Sequence, residues 1–471
     1  MKKTAIAVIF LLFSGLGQAE PDVLAQKINQ VLQAFGENIN MGILVEEAKS
    51  GSILYQKNAD RFFTPASTQK LLTAFAAIAS LGPDFSYRTQ LFADYKKIKN
   101  NSLNDNLYLL FSGDPTLTLT QFDLLLNSLL QAGIFRIKGD IVIDDTAFDD
   151  MPMSPGTSWE DEDFCFGAPV SALIINRNCV QVILKPALKV EEPAILELPD
   201  YPQSMQFENL VTTGSADATN CQVKVKRSGQ ATYTLTGCVK ALSSPQLIER
   251  AIDNPRDNAV FLLKSLLTKN EITLKGNIVF KPVDSTAKPF ALQLSMPLKA
   301  MIAVMLKESD NILANALFKT MGAVLTQKPG SFKNGSLAVR KVLAEAVPLT
   351  IAKNALLDGS GASRYNFLTP AQVVTLLHKI FILPKAADFI ASLAINGVDG
   401  TLKDRMKAPS LRGKLFAKTG TQTAVTALSG YIKTNSNKTL IFSFMINGFV
   451  NPSAKYKGLE DKLCQVLVEA G

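Results

Sequence analysis

The chain has one histidine and one tryptophan in 471 residues. A serine hydrolase built on a histidine base has therefore a single candidate, His378. That residue stands inside Val373-Val374-Thr375-Leu376-Leu377-His378-Lys379-Ile380, where apolar side chains recur at helical spacing. His378 is read as a structural residue of an amphipathic helix, so serine chemistry in this chain takes its base from another residue type. No Cys-x-x-Cys pair occurs, and the lone histidine lies far along the chain from every cysteine, which makes zinc a poor reading. Neither a metal nor a cofactor is expected. A dense basic stripe with interleaved aromatics is also missing, so nucleic acid is not an expected partner. Beyond the first residues no stretch reaches the roughly 18 to 20 apolar residues that a membrane helix needs.

What is present begins with a secretory pattern. Lys2 and Lys3 form a basic end, residues 5–12 an apolar run, and Gly17-Gln18-Ala19 a small-residue cleavage site. The mature chain is expected to start near Glu20, in the periplasm, without a lipid anchor. The formal charge of +8 falls to +6 without Lys2 and Lys3. Such a mild, scattered excess suits an ordinary solvated surface, or loose dwelling on an anionic wall or membrane surface. Five cysteines remain: Cys165, Cys179, Cys221, Cys238 and Cys464. In an oxidising compartment Cys165–Cys179 and Cys221–Cys238 are candidate local disulfides, with Cys464 left over.

A chain of this length exceeds one ordinary core, so two or three domains are expected. A helical pattern over 23–35 leads to strands at 41–45 and 52–55, and then to a helix over 71–81. From about 85 to 282 the texture is of short alternating strands, such as 107–111, 141–143, 180–184 and 222–226, with helices at 121–131 and 255–267. Helical spacing then dominates over 298–307, 312–325, 336–346, 371–381 and 386–395. Apolar strands follow around 415–446, and a short helical pattern closes the chain. The simplest organisation is one catalytic domain over 20–84 and 283–471, interrupted by a β-rich insertion over 85–282.

Three short motifs carry the chemistry: Ser67-Thr68-Gln69-Lys70, Ser309-Asp310-Asn311 and Lys418-Thr419-Gly420. At a helix N-terminus Ser67 and Lys70, at i and i+3, share a face, and the helix end favours developing negative charge. Lys70 serves as a base only when its pKa falls from about 10.4 toward neutrality; burial and a second cation, Lys418, would supply that. Ser309 and Asn311, at i and i+2, are expected to point the same way from an extended loop, one to relay a proton to a leaving amine, the other to hold a peptide carbonyl. Lys418 and Thr419 offer a cation and a hydroxyl to a terminal carboxylate. Gly420 permits close backbone approach, and the N–H groups of Ser67 and Thr421 suit an oxyanion hole. Isolated look-alikes occur at Ser285-Thr286-Ala287-Lys288, just before Pro289, and at Ser102-Leu103-Asn104; neither sits in a suitable context.

The set of motifs is the signature of penicillin-binding proteins and class A β-lactamases. In this order, with the long insertion directly after the first motif, the chain resembles the D-alanyl-D-alanine carboxypeptidase/endopeptidase family, the low-molecular-mass class C penicillin-binding proteins. The resemblance extends through Ser112-Gly113-Asp114-Pro115-Thr116-Leu117, Gly139-Asp140-Ile141, Lys307-Glu308-Ser309-Asp310-Asn311-Ile312-Leu313-Ala314-Asn315, Asp358-Gly359-Ser360-Gly361, Asp399-Gly400-Thr401-Leu402 and Ala417-Lys418-Thr419-Gly420-Thr421. It implies an α/β (α+β) penicilloyl-transferase-like domain split by a β-rich insertion of two small domains. It also implies hydrolysis of the terminal D-Ala-D-Ala bond, or of D-Ala-meso-diaminopimelate cross-links, in peptidoglycan, and acylation by β-lactams. Ser67 would be the nucleophile, Lys70 its base, Ser309 the proton relay, and Asn311, Lys418 and Thr419 the substrate holders. Arg364 and Gln422 resemble positions near the substrate side chain, and Asp161 or Asp163 would reach the site from the insertion. Two other readings stay open: a β-lactamase with fast deacylation, against which the chain length and insertion argue, and a silent wall-binding scaffold, against which the intact motifs argue. Substrate selection, partner docking and homodimerisation are candidate roles for the insertion.

Overall fold

The computed structural model describes residues 19–470 except 37–38, 230, 348, 350 and 352–353. The expected secretory segment, up to residue 18, lies outside the described residues. No helix among them is long and apolar enough to cross a membrane.

A six-stranded sheet brings together strands from both ends of the chain. Its order is Ala394–Ile395, Leu415–Gln422, Val425–Lys433, Thr439–Asn447, Asn40–Glu47 and Ile53–Lys57, with every neighbouring pair antiparallel. The chain's beginning and end are thus hydrogen-bonded side by side, and the central strands are buried on both faces. Ile441 and Met445 join one core while Phe442, Phe444 and Ile446 join the other, as the two-residue period of a strand requires. On the first face lie the helices Lys70–Leu81, Leu298–Lys307, Asn311–Thr326, Phe332–Ala346 and Pro370–Phe381. The second face is covered by Ala19–Phe35 and Ser453–Val468. The Lys70–Leu81 helix is apolar almost all round and correspondingly interior.

Two departures from the sequence reading bear on the site. Residues 386–395 do not form one helix. The helix stops at Ala391, and Ala394–Ile395 becomes an edge strand paired with Phe416 and Ala417, because sheet pairing outweighs the helical pattern of a short apolar run. Ser309-Asp310-Asn311 is not an extended loop either. Ser309 is left-handed at φ 63°, and Asp310 caps the helix that starts at Asn311, its carboxylate accepting from the Leu313 N–H at 2.9 Å.

The insertion's first sheet has five strands ordered Ile278–Phe280, Ile141–Asp144, Leu107–Phe111, Arg88–Phe92 and Pro289–Leu294, the last of them past the expected boundary at 282 and paired back onto Arg88–Phe92. The helices Leu119–Gln131 and Pro255–Lys269 contribute to the same core. A second unit has its own core around Tyr233, Leu235 and Val182. It comprises the sheet Ile195–Glu197, Cys179–Lys185, Gln246–Ala251 and the strands Gln206–Asn209, Thr212–Gly214, Val223–Gly229 and Thr232–Lys240. Both expected disulfides are formed, and Cys464 is free and buried. Cys221 and Cys238 are 17 residues apart, so closing that loop stabilises the fold by about 3 kcal/mol in the chain-entropy picture. Cys221→Ser is expected to lower the melting temperature under oxidising conditions; an unchanged melting curve would refute that contribution.

Candidate active site

Ser67 lies in the 3₁₀ turn Ala66–Gln69 that runs into the Lys70–Leu81 helix. Ala66 is left-handed at φ 46°, a strained choice for a non-glycine residue, and the turn aims Ser67 out of the helix end. Gly361 and Gly420 press against it. A Cβ at Gly361 would stand 1.9 Å from the Ala66 carbonyl oxygen, and one at Gly420 would stand 3.1 Å from the Ser67 nitrogen. Close approach is therefore the reason for glycine at both positions.

Lys70 is wholly buried. Its Nζ donates to Ser67 Oγ at 2.8 Å, to Asn311 Oδ1 at 2.6 Å and to the Ser360 carbonyl at 2.7 Å. Burial lowers its pKa to about 7, against the opposing pull of Asp358 and Asp310. Lys418, also wholly buried, is pushed well below its ordinary value, first by burial and then by Lys70, with Glu308 opposing. The sequence expectation gave the depression of Lys70 to burial and a second cation together, and of these only burial acts on Lys70. The repulsion between the two lysines falls on Lys418.

The second motif meets the first through Asn311, whose Oδ1 holds Lys70 while its Nδ2 donates to the Phe166 carbonyl at 2.8 Å. One amide hydrogen is left for a substrate carbonyl. The half-buried Ser309 hydroxyl has no hydrogen-bond partner among the described residues. In the third motif Lys418 Nζ donates to the Thr419 carbonyl at 2.9 Å and Thr419 Oγ1 donates to Thr401 Oγ1 at 2.8 Å. Thr421 and Gln422 line a cavity of about 230 Å³ together with Ser67, Asp161, Phe166, Asn311, Arg364 and Thr423.

Asp358 holds the facing loop together. Its buried carboxylate accepts from the N–H groups of Gly361 at 2.8 Å and Ser363 at 3.0 Å, from Asn366 Nδ2 at 2.8 Å and from Ser360 Oγ at 3.0 Å. Gln422 Nε2 donates to the carbonyls of Gly361 and Ala362 at 2.7 and 2.8 Å, so this side chain supports the loop besides facing the cavity. Arg364 Nη1 donates to the Thr423 carbonyl at 2.8 Å.

The acidic run of the insertion divides cleanly. Asp161 faces the cavity, its pKa raised by burial, with Arg364 opposing and Glu160 adding to the rise. Asp163 instead pairs with Arg227 and lies 3.3 Å from the Tyr233 hydroxyl, inside the second unit of the insertion, and does not reach the site. His378 pairs with Glu46. Ser285-Thr286-Ala287-Lys288 forms a turn before Pro289–Leu294, and Ser102-Leu103 a short strand. Sequence reasoning missed Phe166, Thr401, Thr423 and the Ser360 carbonyl. Thr401 and Ser360 carried a signal, inside the quoted Asp399-Gly400-Thr401-Leu402 and Asp358-Gly359-Ser360-Gly361, but no role of their own. Among the described residues the only cluster of metal-ligating types is Cys165, Cys179 and Glu249, and its two sulfurs are joined in a disulfide.

A D-alanyl-D-alanine carboxypeptidase of Actinomadura sp. (strain R39) is 32% identical over 426 residues, 88% of this chain and 78% of that protein. The crystal structure of penicillin binding protein 4 from Haemophilus influenzae superposes with a TM-score of 0.83 at 30% identity, covering 94% of this chain and 99% of that one. The same protein complexed with a β-lactam gives a TM-score of 0.77 at 28% identity, with the same coverage. The family model of the D-Ala-D-Ala carboxypeptidase 3 (S13) family matches residues 24–468, and the chain, a serine peptidase of penicilloyl-transferase fold, belongs to that family.

Proposed function

We propose that Ser67 is the acylated nucleophile of this D-Ala-D-Ala carboxypeptidase and Lys70 its general base, acting on peptidoglycan stem peptides and on their cross-links. The observation that carries this is the wholly buried Lys70 amine, its pKa lowered to about 7, donating to Ser67 Oγ at 2.8 Å. Neutral Lys70 takes the Ser67 proton as Oγ attacks the penultimate D-Ala carbonyl. The Ser67 and Thr421 N–H groups stabilise the oxyanion. Ser309, whose hydroxyl has no partner among the described residues, passes a proton to the departing amine, and water then hydrolyses the ester. Lys418 and Thr419 receive the terminal carboxylate, whose charge restores the cationic form that burial disfavours in the free protein.

The cavity beside Ser67 carries one acid, Asp161, and one guanidinium, Arg364. That pair complements a zwitterionic side-chain end such as that of meso-diaminopimelate, and Gln422 holds the Gly361 and Ala362 backbone that lines the same cavity. The secretory pattern of the first 19 residues supports periplasmic residence, where peptidoglycan lies. The β-lactam complex of the Haemophilus influenzae relative supports β-lactams as acylating ligands here.

Intact-protein mass spectrometry after brief incubation with benzylpenicillin tests the assignment. A stable penicilloyl adduct is expected on the wild type and none on Ser67→Ala. An adduct persisting on Ser67→Ala would overturn it, and rapid penicillin loss without an adduct would favour a β-lactamase.

A further inference from the structure

The insertion touches the catalytic motifs through the segment between Phe148 and Cys179. Lys319, wholly buried on the Asn311–Thr326 helix, donates to Asp149 Oδ1 at 2.8 Å and to the Met151 carbonyl at 2.7 Å. The Phe166 carbonyl takes Asn311 Nδ2. The third contact is Arg177, whose Nη1 lies 2.6 Å from Asp310 Oδ2, with the Arg177 side chain 51% exposed and that of Asp310 only 4%. Asp310 therefore uses one oxygen to cap the helix and the other to bind Arg177.

Arg177 is delivered by an unusual turn. Asn176, Arg177 and Asn178 are all left-handed, at φ 48°, 60° and 50°. Asparagine tolerates that region, but arginine has no local compensation there. The turn is held by Asn178 Nδ2 donating to the Pro169 and Leu173 carbonyls at 3.0 and 2.9 Å, and by Asn176 Oδ1 accepting from the Leu119 N–H at 2.9 Å. The next residue, Cys179, is tied to Cys165, the neighbour of Phe166. A single disulfide thus links the two insertion strands of chain that reach the second motif. Strain maintained by so many surrounding contacts points to a task for the residue so placed.

We propose that Arg177 is a positioning residue for the reaction: its ion pair with Asp310 fixes left-handed Ser309 and the helix start at Asn311, and so sets the proton relay and the amide that holds Lys70. The inference rests on the assignment of Ser67, Lys70 and Ser309 given above. It also has an electrostatic consequence. The charged groups around Lys70 are the acids Asp358 and Asp310 and the cation Lys418, itself faced by Glu308. Arg177 offsets Asp310, so its removal leaves Asp310 a stronger hold on the Lys70 proton.

The test follows benzylpenicillin acylation of the full chain against pH, with melting curves, for the wild type, Arg177→Gln, Arg177→Lys and Asp149→Asn. Arg177→Gln is expected to acylate about 10- to 100-fold more slowly, the scale of a small misplacement of catalytic groups, with the acid limb of its profile moved to higher pH. Arg177→Lys should keep the limb near its wild-type place and recover part of the rate. Asp149→Asn, which loosens the same segment away from Asp310, should leave the limb unmoved. An Arg177→Gln rate within two-fold of wild type at an unmoved limb would overturn the proposal, as would the same limb shift in Asp149→Asn. Should Arg177→Gln fail to fold, Arg177→Lys decides, a several-fold loss supporting the proposal and a wild-type rate overturning it. A wild type without a Ser67 adduct would overturn the site assignment itself, a distinguishable result.

Discussion

Lys70→Ala is expected to lower the rate of Ser67 acylation by about 10²- to 10⁴-fold, the usual worth of a positioned general base, while the protein remains folded. Lys70 is held by three acceptors, and only one of them, Ser67 Oγ, is the reacting atom. Truncation leaves Asn311 Oδ1 and the Ser360 carbonyl without their donor, so a moderate fall in melting temperature accompanies the kinetic loss. The site has little room for a substitute base: Lys418 Nζ is hydrogen-bonded to the Thr419 carbonyl, and His378 is engaged with Glu46. The measurement is the second-order rate of penicilloyl adduct formation by mass spectrometry on folded Lys70→Ala. A folded variant acylating at the wild-type rate would sink the assignment.

The same lysine sets the pH dependence. In the proposed mechanism the active form is the neutral amine, and burial lowers its pKa to about 7. Acylation by the wild type should therefore rise as pH increases through about 7 and fall away below it, about tenfold per pH unit well below the pKa. Asp358 and Asp310 both pull that pKa upward. Asp358→Asn removes one of those pulls and should move the acid limb to lower pH, the opposite of the effect expected for Arg177→Gln, with a lower melting temperature because its amide nitrogen cannot accept from the donors that bind the carboxylate. A limb that stays fixed in Asp358→Asn, or moves upward, would show that a different group titrates.

The juxtaposition of the motif residues was legible in the sequence because local geometry carries it. An i, i+3 spacing at a helix start brings Ser67 and Lys70 together whatever the remainder of the chain does. Lys418, Thr419 and Gly420 needed only a strand, and Gly420 only a neighbour too close for a side chain. The second motif was found but misdrawn: Asp310 followed by an apolar helical run is a capping signal, and the carboxylate does cap, placing Asn311 on the helix. What the sequence could not supply is held by distant residues. Phe166 meets Asn311 across a separation of 145 positions, and no periodicity encodes such a contact. Asp161 and Asp163 differ only in what lies opposite. Arg227 claims one while the cavity faces the other, and that choice is made by the packing of the insertion's second unit. Residues 386–395 show the same limit locally, since a short apolar run near a strand reads equally as helix or strand until its partner is known.

The loop facing the nucleophile yields the second large effect, in Gly361→Ala. Gly361 sits at φ 82°, where an alanine costs about 1–2 kcal/mol. Its new methyl carbon would stand 1.9 Å from the Ala66 oxygen and 3.2 Å from the Ser67 nitrogen. Those are backbone atoms, and the turn that carries them is already left-handed at Ala66, so either that turn or the 358–363 loop must move. The loop resists, because the Gly361 N–H is bound to Asp358 and its carbonyl to Gln422. The displacement therefore falls largely on Ser67, whose Oγ and N–H are the proposed attacking atom and one of the proposed oxyanion donors. A shift near 1 Å costs about 10²-fold in rate, and overpacking adds about 1–3 kcal/mol of destabilisation. Gly361→Ala is expected to fold with a lower melting temperature and to acylate at least about a hundredfold more slowly. Gly413→Ala, also left-handed at φ 76° but with nothing within 4 Å of its added Cβ, should show the backbone cost alone and keep the wild-type acylation rate. Equal kinetics in the two variants would mean that the contact with Ala66 does not set the position of the nucleophile.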